Sequence, residues 1–412
     1  MTISQQAQPT SRLLVRSTET DPCELLELLP GPERTLAWVR GDTGFVGWGE
    51  AARLEVRGPA RFEEADSWWR NFVAGLDIDD AVGVPGSGPV AFVSMAFADQ
   101  PAKSLVIVPE VVVARRGERA WITTIGQPPH GNRVVPVRRP RAVRYADGDF
   151  PADAYRSAVR DAVGHIRAGR LDKVVLAHDV LAMAEDALDE RFVLRHLAEH
   201  YPRCWTYAVD GLVGATPELL IRKTGLLVES RVLAGTAWPS GDTTGDAVAA
   251  GLLLSPKDRR EHAFAAESLV ESLRPLCTAL STEGPHVLRL PNVQHLATDV
   301  RAELAEPTWL LRVVEAVHPT AAVGGVPREE ARQLIDRLEG MDRGRYSGPV
   351  GWLDARGDGE CGIALRCAQF DGSTARLFAG CGIVETSDPV GEAREASAKM
   401  RPLRDAIEGV VT

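Results

Sequence analysis

Apolar positions change period several times along the chain, and each change marks an element. Over residues 12–150 they alternate in short runs. Leu36–Arg40 and Gly44–Ala51 flank the turn pair Gly41-Asp42 and predict a hairpin. Val90–Met95, Ser104–Val108, Val111–Arg115 and Ala120–Ile125 predict further strands. One helix interrupts them, Ala60–Phe72, with Trp68, Trp69 and Phe72 for burial. Pro128–Arg141 is rich in Pro, Arg and Gly and reads as a loop or linker, and this third of the chain carries no catalytic pattern.

From Pro151 the periods lengthen. Pro151–Ala168 reads as a helix on Tyr155, Val159, Ala162, Val163 and Ile166, ended by Gly169. The strand Leu171–Leu181 follows, and alternation sets Lys173, Val175 and Ala177 on one face. Glu190–Tyr201 is a helix. Cys204–Val209 and Leu212–Ile221 flank Asp210-Gly211, a strong hairpin signal, with Pro217 suited to an edge or a break in the ladder. Leu227–Ser230 and Arg231–Ala234 lead to the turn Gly235-Thr236, and Gly241–Gly245 is a polar loop. Ser255 and Pro256 are the N-cap and first residue of a helix reaching about Leu280, with a buried stripe of His262, Ala266, Leu269, Val270 and Leu273 and with Glu261 at its edge. Val287–Leu290 is a strand, Thr308–Val317 and Arg328–Leu338 are helices, and His318–Pro327 is a loop of small residues. Tyr346–Asp354, Cys361–Asp371 and Arg376–Ala379 are strands.

Composition narrows the class. The chain has 412 residues, is 44% hydrophobic and carries a net charge of −10, which argues against a general nucleic-acid or anionic-membrane surface. An anionic substrate would need a local cluster of cations or a metal. No run of roughly 18 apolar residues suggests a membrane span, and no signal peptide is apparent, so a cytoplasmic protein is expected. Six scattered cysteines without a C-x-x-C read as reduced thiols. The polar segment Thr2–Ser11 predicts a disordered tail over residues 1–11.

Four places carry candidate chemistry. In Ala375–Met400 two glycines, Gly380 and Gly382, flank Cys381 in a bare backbone turn, and after Asp388-Pro389 a helix sets Glu392, Glu395 and Lys399 on one face. That set suits an anion held by backbone N–H groups and a hard divalent cation held by carboxylates; it also suits a glycine turn before a solvated amphipathic helix. Glu218 lies among Ala215, Leu219, Leu220 and Ile221; buried there it would have a raised pKa, and on an edge strand it would face water. Arg366 lies in the apolar run Ile363–Cys367, where a guanidinium needs an anionic partner. His196, Glu199 and His200 match H-x-x-E-H, but no third zinc ligand is in view and a solvated helix is the better reading.

Together these segments resemble the chorismate-utilising enzymes, and among them the isochorismate synthases. The resembling stretches, in family order, are DKVVLA at Asp172–Ala177, GATPELL at Gly214–Leu220, LAGT at Leu233–Thr236, KDRREH at Lys257–His262, QHLAT at Gln294–Thr298 and HPTAAVGG at His318–Gly325. YSGPVGW at Tyr346–Trp352, IALRCA at Ile363–Ala368, LFAGCGIV at Leu377–Val384 and GEAREASAKM at Gly391–Met400 complete the set. They cover residues 151–412, the chorismate-binding part; residues 12–150 match only in style, as a variable N-terminal part of the same domain.

The resemblance implies an α+β fold of two large antiparallel β-sheets packed face to face with helices on the outside. It implies a Mg²⁺ site with Glu261 and Glu395 as direct ligands and Glu392 close by or acting through water. Lys173 matches the base that activates water, and Glu218 the acid that protonates the departing hydroxyl. Arg366 and Gly380 match the grip on the enolpyruvyl carboxylate, and Lys399 a residue near the metal and the ring carboxylate. Gly235, Thr236, His295, Ala322, Val323, Leu365 and Gly382 match substrate-binding positions. Lysine rather than glutamine at Lys173, and alanine rather than threonine at Ala322, favour water addition that stops at isochorismate. They count against a salicylate synthase and against an amidotransferase-dependent synthase, so no glutaminase partner is expected and a monomer is. A non-catalytic paralogue is disfavoured by the retention of Lys173, Glu218, Glu261 and Glu395. The family serves menaquinone, catechol siderophores and salicylate-derived metabolites. Two departures stand out: His178 where arginine is usual, expected to point away from the Lys173 face, and Pro256 where many relatives have glutamate.

Overall fold

The computed structural model describes residues 12–32, 34–127, 134–237, 245–290 and 293–410. The expected tail over 1–11, part of the 128–141 linker, most of the 241–245 loop and Pro291-Asn292 lie outside the described residues. Two sheets dominate. The larger has 13 strands. It begins Arg144–Asp147, Lys173–Met183, Thr374–Ile383, Cys367–Asp371, Leu212–Thr216 and Trp205–Val209. It continues through strands of the first 150 residues, from Leu36–Arg40 to Leu76–Asp80. The smaller has 9 strands. It runs from the hairpin Cys277–Leu290 and Val293–Leu304 through Leu227–Ala237, Leu219–Thr224, Gly359–Ile363 and Pro349–Asp354 to Val90–Ser94, Ser104–Val108 and Ala52–Val56. Every pairing is antiparallel except Leu13–Thr20 with Leu76–Asp80. This is the expected α+β architecture.

The sheets bury an aromatic layer containing Trp38, Phe45, Phe92, Trp121, Tyr207 and Trp352. Phe45 of one sheet and Trp352 of the other have ring centroids 4.4 Å apart. Such pairs remove large apolar areas from water with few flexible torsions. The helices Ala152–Arg167, Glu190–His200 and Pro389–Glu408 pack on the larger sheet, and Pro256–Leu273 packs on the strand Leu227–Ala237 of the smaller.

Several sequence expectations need correction. The helix begun by Ser255 stops at Leu273; Pro275 sits in the short 3-10 turn Arg274–Leu276, and Cys277 opens a long strand of which Val287–Leu290 is only the end. Cys361–Asp371 is not one strand. Gly359–Ile363 belongs to the smaller sheet and Cys367–Asp371 to the larger, with Arg366 between them at φ 47°. Leu212–Ile221 divides in the same way at Pro217, which cannot donate to a ladder. Gly380 and Gly382 are not in a turn: the strand Thr374–Ile383 runs through both. Leu227–Ser230 and Arg231–Ala234 are one strand with a register shift between Ala234 and Thr236. The strands Leu13–Thr20, Ala52–Val56, Leu76–Asp80 and Arg144–Asp147 and the helix Gly245–Leu254 were not anticipated. Leu76–Asp80 shows why: it reads LDIDD, and an edge strand with three acids lacks the alternation that marks a strand.

Candidate active site

The strands that change sheets leave a cleft between the sheets. Two neighbouring segments cross together. Leu219 pairs with Gly362 on one side of the crossing, and Gly214 with Cys367 on the other. Between them the backbone is stitched by Ile363 N–H to Glu218 O at 3.2 Å and Ala215 N–H to Arg366 O at 3.2 Å. The side chains of Glu218 and Arg366 are thereby delivered to one cleft of about 700 Å³ of space free of protein atoms, partly open to solvent. Every residue expected to bind substrate lines it, as do Glu218 and Glu261.

Arg366 is buried, 9% exposed, and no carboxylate pairs with it among the described residues. One terminal nitrogen donates to His295 Nε2 at 2.7 Å, and the other has no hydrogen-bond partner. Burial, then Arg366 and Lys399, drive the His295 pKa well below its usual value. The imidazole is therefore neutral. Since Nε2 accepts from arginine, the ring proton sits on Nδ1, which lies 3.2 Å from Thr236 Oγ1. Gly235 sits at the register shift with φ 76°, and a Cβ there would come 3.0 Å from Asp258 Cβ, so the bulge and the helix that carries Glu261 can approach only at glycine.

Glu218 is 4% exposed, and burial raises its pKa to about 8 against the pull of Leu233 N–H and of Lys173 and Lys399. It is a protonated acid at neutral pH. Lys173 is wholly buried at the start of its strand, makes no hydrogen bond, and has Nζ 3.4 Å from Glu261 Oε1. It is not itself among the residues lining the cleft; it reaches it beside Glu261 and beneath Gly382. A Cβ on Gly382 would collide with the Glu261 carboxylate and sit 2.9 Å from Lys173 Cε. The glycine makes room for side chains, which corrects its expected role as a turn residue.

The carboxylates expected to hold a metal each face a lysine. Glu395 Oε1 lies 2.9 Å from Lys399 Nζ, Glu392 Oε1 lies 3.1 Å from Lys257 Nζ, and Glu261 faces Lys173. Glu392 and Glu395 come together with Cys381, ligand atoms within 4.8 Å of one another, whereas Glu261 is not part of that group. Glu261 and Glu395 nonetheless both act on the charge of Lys399 and of Lys257. Burial, then the neighbouring Glu395, raises the Glu392 pKa. Burial opposes the Lys399 charge, but Cys381, Glu395 and Glu261 outweigh it and raise its pKa; Nζ also donates to Gly380 O at 3.1 Å. The Cys381 thiol is pushed well up by burial and stays neutral, so the carboxylates supply that effect.

His196 and His200 stack at 4.0 Å and join no metal-ligand group among the described residues. His178 packs on the Tyr155 ring at 5.0 Å, on the strand face opposite Lys173. Pro256 starts its helix, capped by Ser255 Oγ accepting from Asp258 N–H at 3.3 Å. Sequence reading missed Tyr346 and Phe378, which stack at 5.2 Å and wall the cleft, and the Lys257 counter-ion. Lys257 lies in the quoted KDRREH stretch, but a lysine in a first helical turn reads as solvated.

With this geometry in hand, comparisons place the chain. The family described as chorismate binding enzyme matches residues 2–127 and 129–408. The chain belongs to that family. It is 33% identical over 445 residues to the salicylate biosynthesis isochorismate synthase of Pseudomonas aeruginosa, covering 98% of this chain and 92% of the relative. It is 37% identical over 267 residues to isochorismate synthase DhbC of Bacillus subtilis, covering 61% of this chain and 67% of the relative. Among solved structures it superposes on a putative 2,3-dihydroxybenzoate-specific isochorismate synthase from Bacillus anthracis with TM-score 0.77 and 30% identity, covering 93% of this chain and 98% of that one. The menaquinone-specific isochorismate synthase MenF of Escherichia coli shares the fold, with TM-score 0.81 at 24% identity, covering 98% of this chain and 96% of that one. By these relatives the protein is an enzyme, of the isomerase class.

Burial of Glu218 has a thermodynamic consequence. Its folded pKa, about 8, lies above its unfolded value near 4.5, so between these values the folded state binds more protons and stability falls as pH rises. Glu218→Gln removes this dependence. Thermal melts should show the variant gaining on wild type from pH 4.5 to about 8 and holding its margin above that. Parallel melting curves across this range would contradict a buried, protonated Glu218.

Proposed function

We propose that this chain is an isochorismate synthase, a Mg²⁺-dependent isomerase that adds water at C2 of chorismate and expels the C4 hydroxyl. The observation that carries the reading is the pairing of a buried guanidinium without a carboxylate, Arg366, with a neutral buried acid, Glu218, in one cleft above Lys173. An unpaired buried cation calls for an anionic ligand, and a protonated acid suits a poor leaving group.

In this reading chorismate lies with its enolpyruvyl carboxylate toward Arg366 and the backbone at Gly380, and its ring carboxylate toward Lys399. The Tyr346 and Phe378 rings and the Ala322–Val323 wall exclude bulk water. Lys173 Nζ takes a proton from the attacking water as its oxygen bonds to C2. The ring double bonds shift, the C4–O bond breaks, and Glu218 gives its proton to the departing hydroxyl, which leaves as water. Proton return from Glu218 and Lys173 to solvent completes a net isomerisation.

The donors present fit a hard divalent cation. Two close carboxylates, Glu392 and Glu395, repel each other enough to raise the pKa of Glu392, and a cation relieves that. Glu261 and Glu395 would hold Mg²⁺, with Glu392 beside it. The bound ion would orient the ring carboxylate and stabilise developing charge. The Cys381 thiol in the same group is neutral and a poor ligand for Mg²⁺. Lys173 and Ala322 favour isochorismate as the released product over aminated or pyruvate-eliminated ones.

Chelation should abolish chorismate turnover and Mg²⁺ should restore it, with Glu261→Ala and Glu395→Ala each losing activity by orders of magnitude while keeping their melting temperatures. Full activity after EDTA treatment would remove the metal from the mechanism. Wild-type turnover should decline as pH rises past about 8, where Glu218 ionises. Lys173→Gln should abolish isochorismate formation and leave Mg²⁺-dependent chorismate binding, measured by calorimetry, in place. A Lys173→Gln enzyme that makes isochorismate at the wild-type rate would end the base assignment.

A further inference from the structure

The strand that starts with Lys173 is paired along one side by Thr374–Ile383. Its other side is broken. Gly325–Val326 covers only Lys173 and Val174, and Arg144–Asp147 covers only Val180 to Met183. Backbone groups in the gap need partners, because an unpaired buried N–H or C=O costs as much as a lost hydrogen bond. A buried ion pair from a loop supplies them. Glu339 Oε1 accepts from Ala177 N–H at 2.8 Å, and Arg343 donates to Val175 O at 2.7 Å. Arg343 Nε also donates to Glu339 Oε2 at 2.8 Å. The two side chains are 2% and 3% exposed and neither lines the cleft.

The same guanidinium reaches the opposite wall. Its remaining terminal nitrogen donates to Val323 O at 2.9 Å, and its backbone carbonyl accepts from Tyr346 N–H at 3.0 Å. Its plane lies over the Phe97 ring, 4.3 Å from the centroid. Val175, Val323 and Tyr346 all line the cleft. One planar fork therefore fixes the separation between the Lys173 strand, the Ala322–Val323 wall and the Tyr346 ring. A buried ion pair is weak grounds for stability, since apolar residues of the same volume often serve as well, but its directional bonds set geometry.

We propose that Glu339 and Arg343 are positioning residues for the reaction: the pair holds the base-bearing strand and the Ala322–Val323 wall at the separation that turnover requires. The proposal rests on the isochorismate synthase reading. It predicts a loss in kcat with little change in KM, because the groups that grip the substrate, Arg366 and Lys399, are held by other contacts. Glu339→Gln is the sharper variant. It keeps an oxygen for Ala177 N–H and loses the charged two-oxygen fork for Arg343. Steady-state rates with chorismate and saturating Mg²⁺, taken well below the melting temperature, should show kcat down by about tenfold or more, with KM within about threefold. Arg343→Lys keeps the charge but cannot span both carbonyls, and should show the same split. A folded Glu339→Gln enzyme with near-wild-type kcat, or one whose loss lies in KM alone, would overturn the proposal. If both variants failed to fold, the pair would be structural and the proposal would equally fall. A wild-type protein without chorismate turnover would sink the functional reading together with this one, whereas an active wild type beside an unaffected variant would sink this one alone.

Discussion

The site depends on one topological constraint: two adjacent segments leave the larger sheet for the smaller at the same place. Either crossing alone would leave its partner strand with unpaired backbone. Because they cross together, Glu218 O and Arg366 O find N–H donors on the other segment and the ladder resumes on both sides. The cost falls on local conformation, with a proline at Pro217 and a left-handed arginine at Arg366. In exchange, an acid and a cation stand in the gap with little access to water, where each behaves unlike its counterpart at the surface.

Electrostatics in that gap run against the molecule as a whole. The chain carries ten more formal negative than positive charges. Yet Lys173, Lys257, Lys399 and Arg366 converge on the cleft, while Glu218 is neutral near pH 7. Three lysine–carboxylate pairs keep the remaining acids balanced. Arg366 alone is left without a carboxylate among the described residues, so the charge available to an anion is localised rather than spread over a surface.

Much of this was legible in sequence, and the failures have physical causes. Alternation placed Lys173 on its face correctly, and a carboxylate among Ala215, Leu219 and Ile221 proved buried. Cap chemistry found the start of the Glu261 helix, but its end was overrun because the apolar stripe fades into Pro275 and a solvent-exposed strand. Periodicity could not show that Leu212–Ile221 and Cys361–Asp371 each divide between sheets, since the alternating pattern persists across both breaks. The roles of Gly380 and Gly382 were misread because a glycine that makes space looks the same as one that makes a turn. Glu339 and Arg343 carried no signal: at i, i+4 they resemble a surface pair, and only the gap in a distant strand pairing gives them a task.

The strands of the first 150 residues bear on modularity. Leu36–Arg40 is hydrogen-bonded to Trp205–Val209, and Val90–Ser94 to Pro349–Asp354, so both sheets run through the boundary between the variable and the motif-bearing parts. Trp38 of the former donates its indole N–H to Glu360 of the latter at 2.9 Å. The chemistry is concentrated in one stretch of sequence, but the scaffold is not separable along the same line. Exchange of the N-terminal part between relatives is therefore not a matter of transplanting a cap. The incoming segment must match strand register at two seams at once, which ties the drift of a catalytically silent region to that of the catalytic one.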